Sequence, residues 1–222
     1  MKYFIFVLAL LFFPPFIYRY YQQLLVKKKC QTNGYILLTY DDGPSIEMTQ
    51  ELLDVLELTQ TKATFFILGN KIAGNEAIIQ RMINSGHVIG CHGYQHLNAW
   101  KTLPWIGVQN ISQGIEALSK IQINCKFFRP PYGKITTITL GMIIAKKLKT
   151  IWWTFVSGDT YKILPDPNKF SEKVIREGGG IVLMHDFHKS KLRKDFVLEV
   201  TSLIIEKSKQ NGLLLKTLGE IL

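Results

Sequence analysis

The stretch Thr39-Tyr40-Asp41-Asp42-Gly43-Pro44-Ser45 places two adjacent carboxylates directly after the apolar run Tyr35-Ile36-Leu37-Leu38. The apolar run is typical of a buried strand, and the Gly-Pro pair ends it in a turn. Charge at the rim of an apolar core is costly to desolvate unless a metal ion or a cation compensates it. The two aspartates before Gly-Pro could also belong to an ordinary turn that caps a helix. The stretch therefore predicts a buried strand that ends at a candidate functional site.

A second cluster, His92-Gly93-Tyr94-Gln95-His96, supplies two imidazoles four positions apart. This spacing predicts that both rings lie on one face of a helical turn, where they could bind a divalent metal ion. Two histidines at this spacing, taken alone, are more often solvent-exposed or packed in the core than bound to a metal ion. Two histidines and one carboxylate would leave a coordination position open, as in catalytic metal sites.

Three further segments end in polar residues. The prolines of Phe127-Phe128-Arg129-Pro130-Pro131-Tyr132-Gly133 stop a strand and fix Arg129 at the same rim, suited to hold a carboxylate such as Asp41. The aromatic segment that begins at Trp152 ends at Asp159. The apolar segment Ile181-Val182-Leu183-Met184-His185-Asp186 is typical of a buried strand, and its histidine taken alone would be a packed core residue.

Taken in order, these five segments resemble the motifs of the polysaccharide deacetylase family, the nodulation-type deacetylase domain of carbohydrate esterase family 4. The family pattern runs Thr-Phe-Asp-Asp-Gly-Pro, His-Ser/Thr-x-x-His, Arg-Pro-Pro-Tyr-Gly, Trp with Asp, and Leu-x-His. The resemblance extends from Gly34 to the C-terminus. Five motifs in the right order are far more specific than any one of them.

The resemblance implies a role for each matching residue. The ligands of one divalent metal ion, which we take to be zinc, are Asp42, His92 and His96. The proton-transfer residues are Asp41 as general base, Arg129 as the cation that orients it, His185 as general acid and Asp159 as the carboxylate that tunes it. The substrate side consists of Tyr132, whose backbone N–H holds the oxyanion, and Leu183, which lines the pocket for the acetyl methyl.

The chain departs from the family pattern at the metal loop and at the acetyl pocket. Gly93 stands where the family usually has Ser or Thr, so a hydrogen bond that braces the metal loop could be missing. Val156 and Thr160 occupy positions that are often Asp and Trp, which leaves one wall of the pocket in doubt. Either Trp153 or Tyr161 could replace that wall.

Strand-like segments alternate with helix-length segments along the chain. Strands are predicted at 35–40, 63–68, 87–91, 126–128, 150–155, 180–185 and 213–215, and helices at 47–58, 71–85, 108–121, 137–148, 168–176 and 196–210. This alternation favours βα units and a parallel sheet. All five motifs follow predicted strands, where barrel enzymes place their chemistry. The resemblance narrows the fold to a distorted, incomplete (β/α) barrel in a single domain, residues 30–222.

The apolar run from Tyr3 to Tyr18 predicts a membrane anchor. The run is short for a helix that spans a bilayer and long for the apolar h-region of a signal peptide. No small-residue cleavage site follows it. We therefore predict an uncleaved anchor with a basic flank in residues 1–29, removable without loss of activity. Positive charge at Arg19 and at positions 27–29 does not fit simple export. Because the family works mostly on exported glycans, we favour a periplasmic or extracellular catalytic domain.

Composition fits this arrangement. A chain of 222 residues with 47% hydrophobic content can bury a full core without disulfides. The three cysteines, Cys30, Cys91 and Cys125, form no disulfide framework, and burial is preferred over metal binding for Cys91. A net charge of +10 suits anionic lipid head groups or wall polymers. No nucleic-acid recognition motif accompanies the charge, so nucleic acid is not an expected partner.

The sequence thus predicts a metal-dependent hydrolase that removes N-acetyl groups from amino sugars of a cell-surface or cell-wall polysaccharide. One alternative is a deacetylase or deformylase of a polyprenyl-phosphate-linked amino sugar at the inner membrane, which the basic stretch after the apolar run would favour. Another is a catalytically silent carbohydrate-binding homologue. Asp41 and His185 argue against silence, since binding alone needs no proton-transfer groups.

Overall fold

The structure is a computed structural model that describes residues 2–187 and 190–222, with side chains from Leu10 onward in those ranges. The strands are β1 Tyr35–Asp41, β2 Thr64–Ile67, β3 Val88–Cys91, β4 Phe127–Phe128, β5 Lys149–Thr150, β6 Phe155–Val156, β7 Gly180–His185 and β8 Leu214–Leu215. The α-helices are α1 Lys2–Asn33, α2 Ile46–Leu58, α3 Glu76–Asn84, α4 Pro104–Lys120, α5 Thr137–Ala145, α6 Pro167–Arg176, α7 Lys191–Gln210 and α8 Leu218–Ile221. Short 3₁₀ turns cover Gly69–Lys71 and Pro131–Gly133.

The strands form one curled parallel sheet, a half-barrel with helices outside it. The order along the sheet is β5-β4-β3-β2-β1-β7-β6, and β8 pairs with the start of β1. Each recorded strand pairing is parallel. The predicted incomplete barrel of βα units is thereby confirmed at the level of a parallel half-barrel. Parallel pairing also brings the carboxyl ends of the strands to one edge.

The predicted strand at 150–155 is wrong as a single element. β5 and β6 pair at opposite ends of the sheet: the Ile151 N–H donates to the Phe128 carbonyl at 2.8 Å, whereas the Thr154 N–H donates to the Ile181 carbonyl at 2.9 Å. Residues 151–154, here called the seam, therefore cross from one edge of the sheet to the other. A crossing of this kind is a property of the closed fold and leaves no signal in local periodicity.

Helix boundaries differ from the prediction at several ends. α4 begins at Pro104, whose missing N–H suits the first position of a helix. The predicted helix at 71–85 is confined to α3, because the chain first forms a 3₁₀ turn at Gly69–Lys71. Helix α7 starts at Lys191, before the predicted 196.

Side chains on β1 alternate between two apolar layers. Ile36, Leu38 and Tyr40 pack under the outer helices, and Leu37 packs in a separate cluster with Phe66 of β2. Since successive residues of a strand point to opposite faces, Thr39 and Asp41 share the face of Leu37. The alternation therefore carries Asp41 into the space enclosed by the curled sheet.

Helix α1 continues past residue 29 and packs on the half-barrel. Gln23 Nε2 donates to the Trp153 carbonyl in the seam at 2.8 Å, Lys27 pairs with Glu177 at 3.2 Å, and Cys30 is fully buried. Removal of residues 1–29 would remove the contacts of Gln23 and Lys27, and the retention of activity after that removal stays a prediction. The opposite face of the helix is apolar and exposed.

No helix in the part of the chain with described side chains is long and apolar enough to cross a bilayer. Positions 3–9 of the predicted anchor lie outside that part.

Candidate active site

Asp41 lies inside the half-barrel, where Arg129 holds it. Arg129 Nη1 donates to Asp41 Oδ1 at 2.8 Å and to Thr39 Oγ1 at 2.7 Å. The guanidinium is fully buried and lies 4.2 Å from the centroid of the Phe66 ring. Burial lowers the pKa of Arg129 and the neighbouring Asp41 carboxylate raises it, and the net change is downward. The predicted contact between Arg129 and Asp41 is present; Thr39 was not anticipated.

Asp42 lies beside two histidines, and the first of them, His92, is also 3.9 Å from Asp41 Oδ2. Its backbone is left-handed, with φ 71°, which is uncommon outside glycine and costs energy that the surroundings must supply. Asp42 Oδ1 lies 3.3 Å from Nε2 of both His92 and His96. The candidate ligand atoms of these three residues all lie within 4.8 Å of one another. The structure thus brings together the three residues that the sequence predicts as metal ligands.

The donor set fits a divalent metal ion. Asp42 Oδ1 is buried and has no hydrogen-bond partner among the described residues, which is unusual for a carboxylate oxygen. The His92 Nδ1–H donates to the Arg129 carbonyl at 2.7 Å, so Nε2 keeps its lone pair towards Asp42. Burial lowers the pKa of His96, which favours the neutral ring that a ligand requires. Burial also acts to raise the pKa of Asp42, but the His92 and His96 imidazoles outweigh it and hold that pKa well below its usual range.

The metal-binding loop is not the helical turn that the histidine spacing suggested. Residues 92–96 are irregular, and Gly93 has φ 89°. Asn110 of α4 braces the loop: its Oδ1 accepts from the Gln95 N–H at 2.8 Å, and its Nδ2 donates to the Gln95 carbonyl at 2.9 Å. A Cβ at position 93 would lie 2.6 Å from Asn110 Nδ2. Glycine is therefore required here, and Asn110 supplies the brace that the sequence appeared to lack.

Replacing Asn110 with alanine is expected to weaken metal affinity by roughly 10- to 100-fold, the usual effect of removing a group that orients the ligands. Both hydrogen bonds to Gln95 would be lost, so the two rings would no longer be held towards Asp42. Titration of the metal-free protein with Zn²⁺ and a competing chelator measures the change. Ser119→Ala on the same helix is a control, and equal affinity of both variants would contradict the role of Asn110.

His185 and Asp159 form a second charged pair beside the first. The Asp159 carboxylate accepts from the His185 N–H at 2.8 Å and lies 3.1 Å from Nδ1. Ser157 Oγ donates to Asp159 Oδ1 at 3.0 Å. Burial acts to lower the pKa of His185, but the hydrogen bond and the charge of Asp159 outweigh it and raise the pKa to about 9. His185 is thus a cation at neutral pH.

Strand register sets His185 against Asp41. The two residues are paired neighbours at the ends of β7 and β1. A one-residue shift of either strand would send its side chain to the other face of the sheet. Leu183 lies two residues earlier on β7, is buried, and pairs with Thr39 and Val156. The pairing of β1 with β7 therefore aligns the predicted base and the predicted acid.

The loop with Tyr132 forms the open side of the site. Tyr132 has φ 57°, is 54% exposed, and its ring centroid lies 4.4 Å from that of His96. The Trp152 indole N–H donates to the Gly133 carbonyl at 3.2 Å. Trp153, the predicted substitute for a pocket wall, has its ring centroid 5.9 Å from the Arg129 guanidinium carbon. Its role as a wall of the acetyl pocket stays a prediction.

Asp186 lies directly behind the Asp-Asp pair and was not predicted to matter. Its Oδ2 accepts from Thr49 Oγ1 at 2.8 Å, and its backbone carbonyl accepts from Ser45 Oγ at 2.9 Å. A Cβ at Gly43 would fall 2.0 Å from Asp186 Oδ2, so the turn needs glycine there. Burial raises the pKa of Asp186 to about 7. This carboxyl supports the turn that follows Asp42.

The cysteines take no part in the metal site. Each of the three is free, as the sequence predicts. Cys91 is buried, its Sγ accepts from the Gly93 N–H at 3.3 Å, and burial raises the pKa of its thiol. A neutral thiol with a raised pKa is a poor metal ligand.

Comparison with known proteins confirms the family. The sequence pattern of the family described as polysaccharide deacetylase matches residues 28–151. The chain belongs to the polysaccharide deacetylase family. That match covers more than half of the chain and includes the site residues Asp41, Asp42, His92, His96, Arg129 and Tyr132.

Several characterised members of the polysaccharide deacetylase family resemble this chain. A peptidoglycan-N-acetylglucosamine deacetylase of Bacillus cereus is 37% identical over 63% of this chain and 54% of its own length. A chitin deacetylase of Colletotrichum lindemuthianum is 30% identical over 87% of this chain and 82% of its own length. A crystal structure of a peptidoglycan N-acetylglucosamine deacetylase superposes with a TM-score of 0.76 at 30% identity, covering 86% of this chain and 88% of that one. The chain spans about half the length of the Bacillus cereus relative.

Proposed function

We propose that this chain is a metal-dependent hydrolase that removes N-acetyl groups from amino sugars of a cell-wall or cell-surface polysaccharide. The observation that supports this most is the convergence of Asp42, His92 and His96 beside the Asp41–Arg129 and His185–Asp159 pairs. A binding module would have no use for two proton-transfer groups with separate charged partners.

Hydrolysis of the acetamide adds water to the carbonyl carbon, breaks the C–N bond, and releases acetate and a free amine. Asp42, His92 and His96 would hold a divalent ion, zinc in our proposal, which would lower the pKa of water and polarise the carbonyl. Asp41 accepts the proton of the attacking water, and Arg129, which donates to Asp41 Oδ1 at 2.8 Å, orients it for that purpose.

The other proton belongs to His185. An amine is a very basic leaving group, so the nitrogen must be protonated as the bond breaks. His185, with a pKa raised to about 9 by Asp159, carries that proton at neutral pH. The Tyr132 backbone N–H donates to the oxyanion, an interaction worth on the order of 3 kcal/mol. In this proposal, Leu183 and Trp153 line the pocket for the acetyl methyl group.

The choice of substrate rests on the relatives. Those described above act, by name, on peptidoglycan N-acetylglucosamine or on chitin. Both polymers contain N-acetylglucosamine, so we propose a glycan with this sugar, with the catalytic domain exported to reach it.

We also propose that the chain associates with a membrane through α1. Its outer face exposes Phe13, Phe16 and Tyr20, each by more than 60%. The exposed Lys28 follows this face, and aromatic plus basic residues are typical of the lipid interface. This apolar face would also suit the alternative substrate, a polyprenyl-linked amino sugar.

A single assay tests the proposed function. Purified full-length chain is expected to release acetate from peptidoglycan and from chitin oligomers, to lose that activity in a chelator, and to regain it with Zn²⁺. The same assay with a polyprenyl-phosphate-linked amino sugar distinguishes the alternative substrate: release of acetate or formate from this sugar, and not from the polymers, would favour it. Binding of glycan with no release of acetate or formate, at one bound metal per chain, would contradict the proposal and favour the silent homologue.

A further inference from the structure

Helix α1 reaches the active-site loop through one arginine. Arg19 Nη1 donates to the Gly133 carbonyl at 3.0 Å, and its Nε donates to Gln23 Oε1 at 3.2 Å. Its guanidinium carbon lies 5.5 Å from the centroid of the Trp153 ring. Gln23 in turn binds the Trp153 carbonyl at 2.8 Å. Arg19 and Gln23 thus tie α1 both to the loop and to the seam.

Gly133 is held tightly from two sides. Its carbonyl accepts hydrogen bonds from both Arg19 and the Trp152 indole. A Cβ at Gly133 would lie 2.9 Å from Arg19 Nη1 and 2.9 Å from the Trp153 ring, and φ at this position is 65°. Glycine is consequently required at position 133 while Arg19 and Trp153 are in place.

The residue next to this clamp is Tyr132, which also has a left-handed backbone, with φ 57°. Two consecutive left-handed residues, one of them not glycine, are unfavourable unless neighbouring groups hold them. The Tyr132 ring is half exposed and contacts His96, so its side chain provides limited anchorage. Within the turn, the Gly133 N–H donates to the Pro130 carbonyl at 2.8 Å and the Lys134 N–H to the Pro131 carbonyl at 3.1 Å. The two hydrogen bonds to the Gly133 carbonyl hold this turn from outside.

We propose that Arg19 is a positioning residue for deacetylation: by holding the Gly133 carbonyl, it fixes the direction of the neighbouring Tyr132 N–H towards the oxyanion. This inference rests on the proposed function. An oxyanion donor acts only if it is aimed before the reaction begins. Arg19 precedes residue 28, where the match to the polysaccharide deacetylase family starts, so α1 supplies a contact that the family pattern does not contain.

The test compares Arg19→Gln, Arg19→Lys and the control Lys27→Gln in the full chain. Lys27 also joins α1 to the domain, but through Glu177 and away from the loop. For Arg19→Gln we expect kcat to fall roughly tenfold, less than the loss of an entire oxyanion donor. We expect KM within about twofold and one bound metal per chain, because neither the ligands nor the sugar contacts change. Arg19→Lys should restore part of kcat, and Lys27→Gln should match the wild type.

An ester substrate adds a second readout. The oxyanion forms with amide and ester alike, so Arg19→Gln should slow acetate release from an aryl acetate by the same factor as from the glycan. Equal kcat in Arg19→Gln and Lys27→Gln would overturn the proposal, as would a loss confined to amides or one that accompanies loss of metal. If the wild type itself releases no acetate, the proposed function fails first, and that result is distinct from all of these.

Discussion

Replacing His96 with alanine is expected to remove both the metal ion and the activity. Asp42 and His92 would be the only protein ligands left, and two ligands do not hold a catalytic divalent ion at ordinary concentrations. Dialysed protein should then contain no stoichiometric metal by elemental analysis, and acetate release should fall to the level of the chelated wild type. The folded domain should persist, because His96 lies at the open rim of the half-barrel and not in its core.

Gln95→Ala is the matched control for this change. Gln95 lies in the same loop, its side chain is exposed, and its contacts with Asn110 use only backbone atoms. Metal and activity should both survive. One equivalent of metal in His96→Ala, retained through dialysis, would show that the ligand set is wrong.

The His185→Ala variant is expected to lose roughly 10²- to 10⁴-fold in the rate of amide hydrolysis, the usual contribution of a positioned acid. It should retain most of its rate towards an aryl acetate, because a phenolate leaves without a proton. The comparison of the two substrates isolates proton donation from binding. If both rates fell equally, His185 would be a structural or binding residue.

The pH profile offers a further check on His185. With a pKa raised to about 9, the ring is protonated and competent below that pH and loses its proton above it. The wild-type rate should therefore fall on the alkaline side near pH 9, or somewhat lower, since a nearby metal cation opposes the imidazolium charge. His185→Ala should lack this limb. Stability follows the same sign: the His185–Asp159 pair contributes fully below pH about 6.5, and the contribution is lost as pH rises through about 9.

Local sequence patterns predicted most of the strands and the residues that meet at the site. Apolar runs such as those at Tyr35–Asp41 and Gly180–His185 were recognisable because burial on both faces leaves a continuous apolar segment. Because the C-terminal ends of parallel strands lie at the same end of the sheet, charged residues that follow the strands lie close together. The contact between Arg129 and Asp41 was predicted from the residues themselves, whereas the pairing of His185 with Asp159 followed from the resemblance to the polysaccharide deacetylase family.

What the sequence could not reveal depends on distant contacts. Asn110 sits in the middle of α4, and nothing about its neighbours indicates that it braces a loop earlier in the chain. Arg19 looked like the flank of an anchor, because its partner Gly133 is far away in sequence. The two edges joined by the seam are likewise separated by the whole sheet. Such long-range pairings are set by tertiary packing, which local periodicity does not encode.

The burial of Arg129 limits how this protein could lose its activity in evolution. Its Nε and Nη2 already have no hydrogen-bond partner among the described residues, so Asp41 is its sole anionic partner there. Removing one member of such a pair typically destabilises a protein by about 3–5 kcal/mol. Domains are stable by only about 5–15 kcal/mol in all. In a homologue without catalytic activity, we therefore expect Asp41 and Arg129 to be substituted together. The rim residues His96 and Tyr132 could be substituted independently.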